Sequence, residues 1–476
     1  MMVRKSKIVA TIGPATANLD VLVQAFTAGV DIIRINSSHG DDREHLLYID
    51  LVRKASKKSS KPIPILLDLQ GPKIRLGDLE NTPIKLTNGS EIVITNKPVT
   101  GNANTLSVNF PNLSQYAKPN MRVLIDDGKI ALTILKVLDD KVFAKVINGG
   151  DVYPQKGVNF PDLEEYLSGF TDFDRQKLKF GMTNGVDLIA ASFVRNAQDI
   201  ITIRDFITTE LNHPTIPIIA KIELASGLKN LNEILSVTDG VMVARGDLAV
   251  EISAEKVPIA QKQIIEAANQ SGKYVITATQ MLESMINSPT PTRAEAADIA
   301  NAIFDGSDAL MLSEETAIGS FPIESITIMD AIIRESEVHL ESWARWSGNS
   351  WIDKMDEDAY FIAKAAKDLA YDRDVGAICV FTLSGNSALI VSKTRPPVPI
   401  FAFTPRREVY NRLGIYWGVI PIFIEEASTI EEMLLIIDNH LLKSKLLKPS
   451  DQVVVVCGFP IKDYKPPNLT LLHTLG

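Results

Sequence analysis

The feature that most constrains this chain is an alternation repeated eight times. A short, almost unbroken apolar run is followed by a longer segment with helical periodicity. The runs are Lys7–Gly13, Asp31–Asn36, Ile63–Asp68, Asp187–Phe193, Pro217–Ile222, Gly240–Ala244, Tyr274–Ala278 and Asp308–Leu312. Strands apolar at nearly every position are buried on both faces, as in a parallel sheet covered by helices. Eight of them, each with a helical partner, predict an α/β (β/α)8 TIM barrel. Local signals agree: Thr171 and Asp174 have capping-box spacing, and Pro258 opens a helical segment that stops at Gly272.

The rhythm breaks once. Roughly a hundred residues separate the third run from its helix, far beyond an ordinary βα connection. Residues 71–165 read as an inserted all-β lid domain, a β-barrel of short alternating strands with hairpin signals at Asn88-Gly89 and Asp127-Gly128. An insert at that position can close over the C-terminal face of the barrel. The barrel is therefore expected in two parts, 1–70 and 166–342, closed by one helix through IESITIMDAIIRESEVHLESWARW. Residues 343–476 alternate helix and strand, ending on QVVVVCGF, and predict a C-terminal open α/β sheet.

Composition serves mainly to exclude. Lys+Arg 49 against Asp+Glu 58 leaves a formal charge of −9, which argues against nucleic-acid or anionic-membrane partners. Two cysteines, Cys379 and Cys457, cannot make a disulfide scaffold or a cysteine-rich metal site, and both read as core thiols. No apolar run reaches bilayer length and the start lacks a signal-peptide core, so a cytoplasmic location is expected.

Chemistry in such a barrel belongs at the C-terminal strand ends. Arg34, Asn36 and Ser38 share a face at the second strand's end, followed by His39, and would suit an oxyanion; a polar turn capped by Ser38 explains the same residues. The third strand ends on Asp68, and the Gly71-Pro72 turn brings Lys73 and Arg75. Lys221 and Glu223 close the fifth strand, and Arg245, Gly246 and Asp247 the sixth. Two carboxylates on neighbouring strands suit magnesium, which keeps positions open for substrate oxygens. Ion pairs Lys221–Glu223 or Arg245–Asp247 are the structural alternative. Thr279, Ser313 and Glu315 end the seventh and eighth strands as caps or proton relays. Thr382, Ser384, Gly385 and Ser387 join a strand to a helix start, a phosphate cradle or an ordinary cap.

These segments also carry a resemblance. KIVATIGPAT, RINSSHG, DLQGPKIR, DDGKI, KGVNFP, AKIE, VARGDL, ITATQMLESM, PTRAEAADIANAIFDGSDALMLSEETAIG and FTLSGNSA, in order along the whole chain, resemble the pyruvate kinase family, in its bacterial form. The resemblance implies phosphoryl transfer from phosphoenolpyruvate to ADP, giving pyruvate and ATP, with Mg2+ or Mn2+ as cofactor. It places the metal on Glu223 and Asp247, and the moving phosphoryl group on Lys221 and Arg34, with Arg75 in support. The substrate carboxylate falls to Gly246, Asp247 and Thr279, protonation near Thr279, Ser313 and Glu315, and nucleotide contacts to Pro14, Asn36, His39, Arg75 and Lys156. Thr382, Ser384, Gly385 and Ser387 match the family's sugar-phosphate or AMP effector loop, and a homotetramer is implied.

One departure stands out. Many members bind K+ through residues matching Asn36, Ser38, Asp68 and position 69, with a carboxylate where this chain has Lys73; here position 69 is leucine. A fixed ammonium can replace a mobile monovalent cation, so K+ independence is expected. Two other classes share parts of the pattern: a magnesium-enolate lyase or aldolase on a related barrel, and a catalytically silent sugar-phosphate sensor.

Overall fold

The computed structural model describes residues 4–163, 169–346, 357–461 and 465–476. The eight runs form one closed parallel barrel with strands Lys7–Thr11, Ile32–Asn36, Ile65–Asp68, Leu188–Ala191, Ile218–Ile222, Gly240–Ala244, Tyr274–Ala278 and Ala309–Leu312, hereafter strands one to eight. Each strand pairs with its neighbours in sequence order, and strand eight closes onto strand one.

Period-two alternation sorts the strand residues into two layers. Ile8, Ile33, Ile35, Leu67 and Ile218 belong to the cluster that packs on the surrounding helices. Val9, Ile32, Leu66, Leu188, Ile219 and Met242 belong to the barrel's interior cluster. Parity then dictates that residues two positions beyond this interior set, such as Arg34, Asp68 and Lys221, also face inward at the strands' C-terminal ends.

The helices start where their caps say. Thr171 and Asp174 form the reciprocal capping box of helix Asp172–Thr183, and Thr292 with Glu295 forms another on helix Arg293–Asp305. The expected helix through Trp346 stops earlier: it runs Pro322–Val338, bends at His339, and continues as the short helix Leu340–Trp343.

The insert contains a six-stranded and a two-stranded sheet. Asp127-Gly128 does turn a hairpin between Arg122–Ile125 and Ile130–Leu138, with Asp127 and Gly128 both at positive φ. Asn88-Gly89 does not. It leads the chain from Ile84–Leu86, paired with Gly150–Val152, to Glu91–Thr95, paired with Lys141–Asn148, so it links two sheets. The expected junction at 165/166 lies outside the described residues, as does most of WSGNSWIDKMDED.

The C-terminal sheet has five strands, ordered Val419–Phe423, Ile400–Thr404, Ala377–Phe381, Gln452–Cys457 and Leu469–Thr474. The last is an antiparallel edge strand that the sequence reading missed; its residues are mostly half-buried, so no buried apolar run announces it. This unit plugs the barrel's N-terminal end. Leu413, Ile415 and Tyr416 share the interior cluster with Val9 and Tyr274, and the Tyr274 and Tyr416 rings lie 5.8 Å apart.

A buried charge cluster fastens the two. Asp308, just before strand eight, pairs with Lys393 at 2.5 Å and Arg395 at 3.0 Å, and accepts a hydrogen bond from Val275 N–H. Lys393 Nζ also donates to Asn269 Oδ1 at 2.9 Å. Both Lys393 and Asp308 are 1% exposed. Removing the anion of a buried cluster strands its cations, at about 3–5 kcal/mol. Asp308→Ala is therefore expected to lower the thermal midpoint sharply in calorimetry, whereas an unchanged midpoint would show that the cluster does not hold the two units together.

Candidate active site

The inward residues at the barrel's C-terminal end meet around Asp68. Its Oδ2 accepts from Arg34 Nε at 2.8 Å and pairs with Arg34 Nη2 at 2.7 Å. Its Oδ1 lies 3.2 Å from Lys221 Nζ and 3.3 Å from Ser192 Oγ. Lys221 Nζ donates to Ser192 Oγ at 2.7 Å and pairs with Glu223 Oε1 at 2.9 Å. Arg34 Nη1 reaches Thr11 Oγ1 at 3.1 Å. Strands one through five thus each contribute a polar group, from Thr11 to Glu223, or from the residue just after the strand, as with Ser192.

Burial alone would push the Lys221 ammonium down, but Asp68 and Glu223 outweigh it and hold the pKa above its ordinary value. Burial pushes Asp68 up, yet Lys221 and Arg34 bring it below the usual carboxylate range. Glu223 stands apart. Burial, with Asp247 adding to it, raises it to about 7 against the opposing pull of Lys221. The second oxygen of Glu223 accepts from Phe193 N–H at 2.6 Å.

Asp247 sits in the first turn of helix Arg245–Ile252 and makes no hydrogen bond or ion pair with the described residues. A buried carboxylate whose proton affinity a neighbouring carboxylate raises has room for a cation beside it. Among the described residues no group of three or more His, Cys, Asp or Glu could hold a metal by protein ligands alone. That donor set fits magnesium, which takes one or two carboxylates and leaves the remaining positions to water and substrate oxygens. The structural alternative is half present: Lys221–Glu223 is an ion pair, but Arg245 pairs with Asp298 instead of Asp247.

Arg245 has another task. Its Nη2 donates to Thr279 O at 2.6 Å and Gln280 O at 3.2 Å. Thr279 and Gln280 have φ of 68° and 54°, costly for a β-branched residue, and the guanidinium clamps their carbonyls in place. The clamped Thr279 turns Oγ1 to accept from Gly246 N–H at 2.9 Å, which places its hydroxyl over the helix start that carries Asp247. Beyond strand eight, Glu315 uses both oxygens on backbone N–H groups, of Leu282 at 3.1 Å and Ser313 at 2.7 Å. Ser313 Oγ is buried with no partner among the described residues.

Where the insert leaves the barrel, His39 is held below its ordinary pKa by burial and by the charges of Arg75, Lys73 and Arg34, which gathers these four groups. Arg75 donates to Gln155 O at 3.0 Å, and Lys156 pairs with Asp126 at 2.8 Å. Pro14 is exposed in the turn after strand one, and Ser38 N–H donates to Asn36 Oδ1 at 3.2 Å. Lys73 makes no hydrogen bond through its ammonium and no ion pair with the described residues. Leu69 turns its side chain into the outer layer, leaving its carbonyl to accept from Ser192 Oγ. In the C-terminal unit, Thr382 Oγ1 accepts from Gly385 N–H at 2.9 Å and Ser384 Oγ from Asn386 N–H at 3.3 Å. With Ser387 they line a cavity of about 260 Å³.

Sequence reasoning passed over Thr11, Ser192 and the clamp role of Arg245. The first two were findable, since Thr11 and Ser192 follow interior Val9 and Ala190 by two residues. Arg245 was not, because its partner Asp298 lies 53 residues away.

Cations and hydroxyls gathered around buried carboxylates at the C-terminal mouth of a parallel barrel fit the class of TIM-barrel enzymes that act on anionic substrates. The comparisons specify which. Residues 3–326 match the family described as pyruvate kinase, barrel domain, and residues 361–472 that described as pyruvate kinase, alpha/beta domain. The pyruvate kinase of Geobacillus stearothermophilus is 43% identical over 482 residues, covering 100% of this chain and 81% of the relative. That of Agrobacterium vitis is 41% identical over 458 residues, covering 96% of this chain and 94% of the relative. A solved pyruvate kinase from Cryptosporidium parvum superposes with a TM-score of 0.91 at 34% identity, covering 99% of this chain and 96% of that one. The chain belongs to the pyruvate kinase family and is a phosphotransferase.

Because Asp68 fixes both Arg34 and Lys221, Asp68→Asn is expected to lower kcat by about a hundredfold or more, the scale of losing an electrostatic donor to the transition state. A coupled assay measures it, and turnover within about threefold of wild type would remove Asp68 from this role.

Proposed function

We propose that this chain transfers the phosphoryl group of phosphoenolpyruvate to ADP, giving pyruvate and ATP, with Mg2+ (or Mn2+) held by Glu223 and Asp247 and without a need for K+. The observation that carries the reading is the Lys221 ammonium, buried between Asp68 and Glu223 and kept charged by them. A phosphoryl group moving between two oxygens needs little covalent help. It needs fixed positive charge in a dry pocket and reactants in line. A bound divalent ion would supply Lewis-acid neutralisation of phosphate, carboxylate and enol oxygens.

The chain's own residues do the rest. Arg34, clamped by Asp68, presents its guanidinium to the phosphoryl oxygens. Lys221 neutralises charge on the group in flight and on the enolate left behind. The substrate carboxylate sits at Gly246, Asp247 and Thr279, where the clamped turn meets the helix start. Proton delivery to the enolate methylene carbon runs past Thr279 and Ser313, whose buried hydroxyl lacks a partner, while Glu315 braces the Ser313 backbone. Pro14, Asn36, His39, Arg75 and Lys156 face the nucleotide from barrel and lid. The division 1–70, 71–165, 166–342 and 343–476 places that lid over the mouth.

Lys73 supports K+ independence. Its ammonium is unpaired among the described residues and lies with Arg34 and Arg75 beside His39. Asp68, the carboxylate that Asn36 and Ser38 would share with a monovalent ion, already serves two cations. An effector phosphate at Thr382, Ser384, Gly385 and Ser387, a homotetramer and a cytoplasmic place follow from the family resemblance; among the described residues no helix is long and apolar enough to cross a membrane. A lyase or a silent sensor would leave the lid's Arg75 and Lys156 idle.

Two measurements test the reading. Lys221→Met is expected to cut kcat by about two orders of magnitude or more while phosphoenolpyruvate still binds, and wild-type turnover would refute the assignment. In tetramethylammonium buffer, adding K+ is expected to change turnover by less than about twofold, and strong activation would overturn the role of Lys73.

A further inference from the structure

The turn after strand two, residues 36–40, reaches the surface at His39 and Gly40 and is held from two sides. On one side Ser37 donates through both its N–H and its Oγ to Asp68 O, at 3.0 and 2.7 Å. On the other, His45 Nε2 lies 2.7 Å from His39 O. His45 belongs to the first turn of helix Asp42–Ser59 and is 1% exposed. Gly40 lets the chain pass this close to the ring: its φ is 77°, and a Cβ there would collide with Glu44 Oε2.

The partners of the two ring nitrogens together fix the tautomer. Lys177 Nζ, on helix Asp172–Thr183, lies 3.4 Å from His45 Nδ1 and pairs with Asp42 at 2.7 Å. An ammonium only donates and a carbonyl only accepts. Nδ1 is therefore the acceptor, and Nε2 carries the proton that it donates to His39 O. Burial, with the Lys177 charge adding to it, holds the ring below its ordinary pKa against the His39 carbonyl, Asp42 and Glu44, so it is neutral at neutral pH. Lys177 is itself 6% exposed and stands on a helix anchored elsewhere: Asp174 Oδ1, one turn earlier, accepts from Gly71 N–H at 3.1 Å.

We propose that His45 is a positioning residue for the nucleotide: its Nε2–H, directed by Lys177, holds the His39 carbonyl and so fixes the turn whose Asn36 and His39 face ADP. The inference rests on the nucleotide reading of that turn given above. A turn already in place spares the ligand the cost of ordering its own site. The two halves of the active site are then held by different groups. Arg34 and Lys221 are set by the Asp68 carboxylate, which makes no bond to His45. Loosening His45 therefore disturbs the nucleotide and leaves the phosphoenolpyruvate side in place.

The test is steady-state kinetics of the full chain, with ADP and phosphoenolpyruvate varied separately. His45→Asn keeps an oxygen for Lys177 but is too short to reach His39 O, whereas His45→Gln carries an amide N–H about as far as Nε2. His45→Asn is expected to raise KM for ADP about tenfold, with kcat and KM for phosphoenolpyruvate within about twofold of wild type, and His45→Gln to bring KM for ADP back to within about threefold. An unchanged KM for ADP in His45→Asn, equal rises for both substrates, or a His45→Gln no better than His45→Asn overturns the proposal. His39→Ala separates it from the reading beneath it. An unchanged KM for ADP there removes the turn from the nucleotide site and the inference with it, whereas a raised KM there beside an unchanged His45→Asn overturns the inference alone. If His45→Asn does not fold, Lys177→Met decides: KM for ADP is expected to rise several-fold, and an unchanged value is equally fatal.

Discussion

One buried carboxylate organises the mouth of this barrel. Asp68 takes Arg34 on one oxygen and Lys221 on the other, so two cations from different strands stand fixed before any substrate arrives. A lone buried ammonium and guanidinium would repel each other and, in the case of lysine, shed a proton. With Asp68 between them both stay charged, in positions that need no reorganisation as an anion builds up nearby. Electrostatic catalysis draws its strength from such pre-set charges in a pocket of low dielectric.

The second pair of acids does the opposite. Glu223 and Asp247 come from neighbouring strand ends, and Asp247 destabilises the charge on Glu223. Asp68 is satisfied by the protein, while Asp247 makes no side-chain hydrogen bond or ion pair with the described residues. The division of labour explains why five acidic and basic side chains crowd one rim without cancelling. The clamped turn at Thr279 fixes backbone against the helix start that carries Asp247, and Glu315 braces the ends of strands seven and eight.

Much of this was legible in the sequence because a barrel obeys parity. Once the eight runs are recognised, counting by two from Ile32, Leu66 and Ile219 delivers Arg34, Asp68 and Lys221 at the mouth. Capping boxes such as Thr171/Asp174 and the Asp127-Gly128 hairpin are equally local. What escaped is non-local or marginal. Asn88-Gly89 has hairpin chemistry, but the strands around it found better partners elsewhere, and Leu469–Thr474 is an edge strand whose pattern burial never sharpened. The Asp308–Lys393–Arg395 cluster and the Arg245–Asp298 ion pair join residues distant in sequence, so no window of residues contains them.

The claim that two acids hold a divalent ion at this rim can be measured without turnover. Electron paramagnetic resonance of Mn2+ titrated into the protein with oxalate, a mimic of the enolate product, counts bound metal directly. The account predicts one tight site in the wild type, lost in the Glu223→Gln/Asp247→Asn double variant with the fold intact. Equal Mn2+ affinity in both proteins would contradict it.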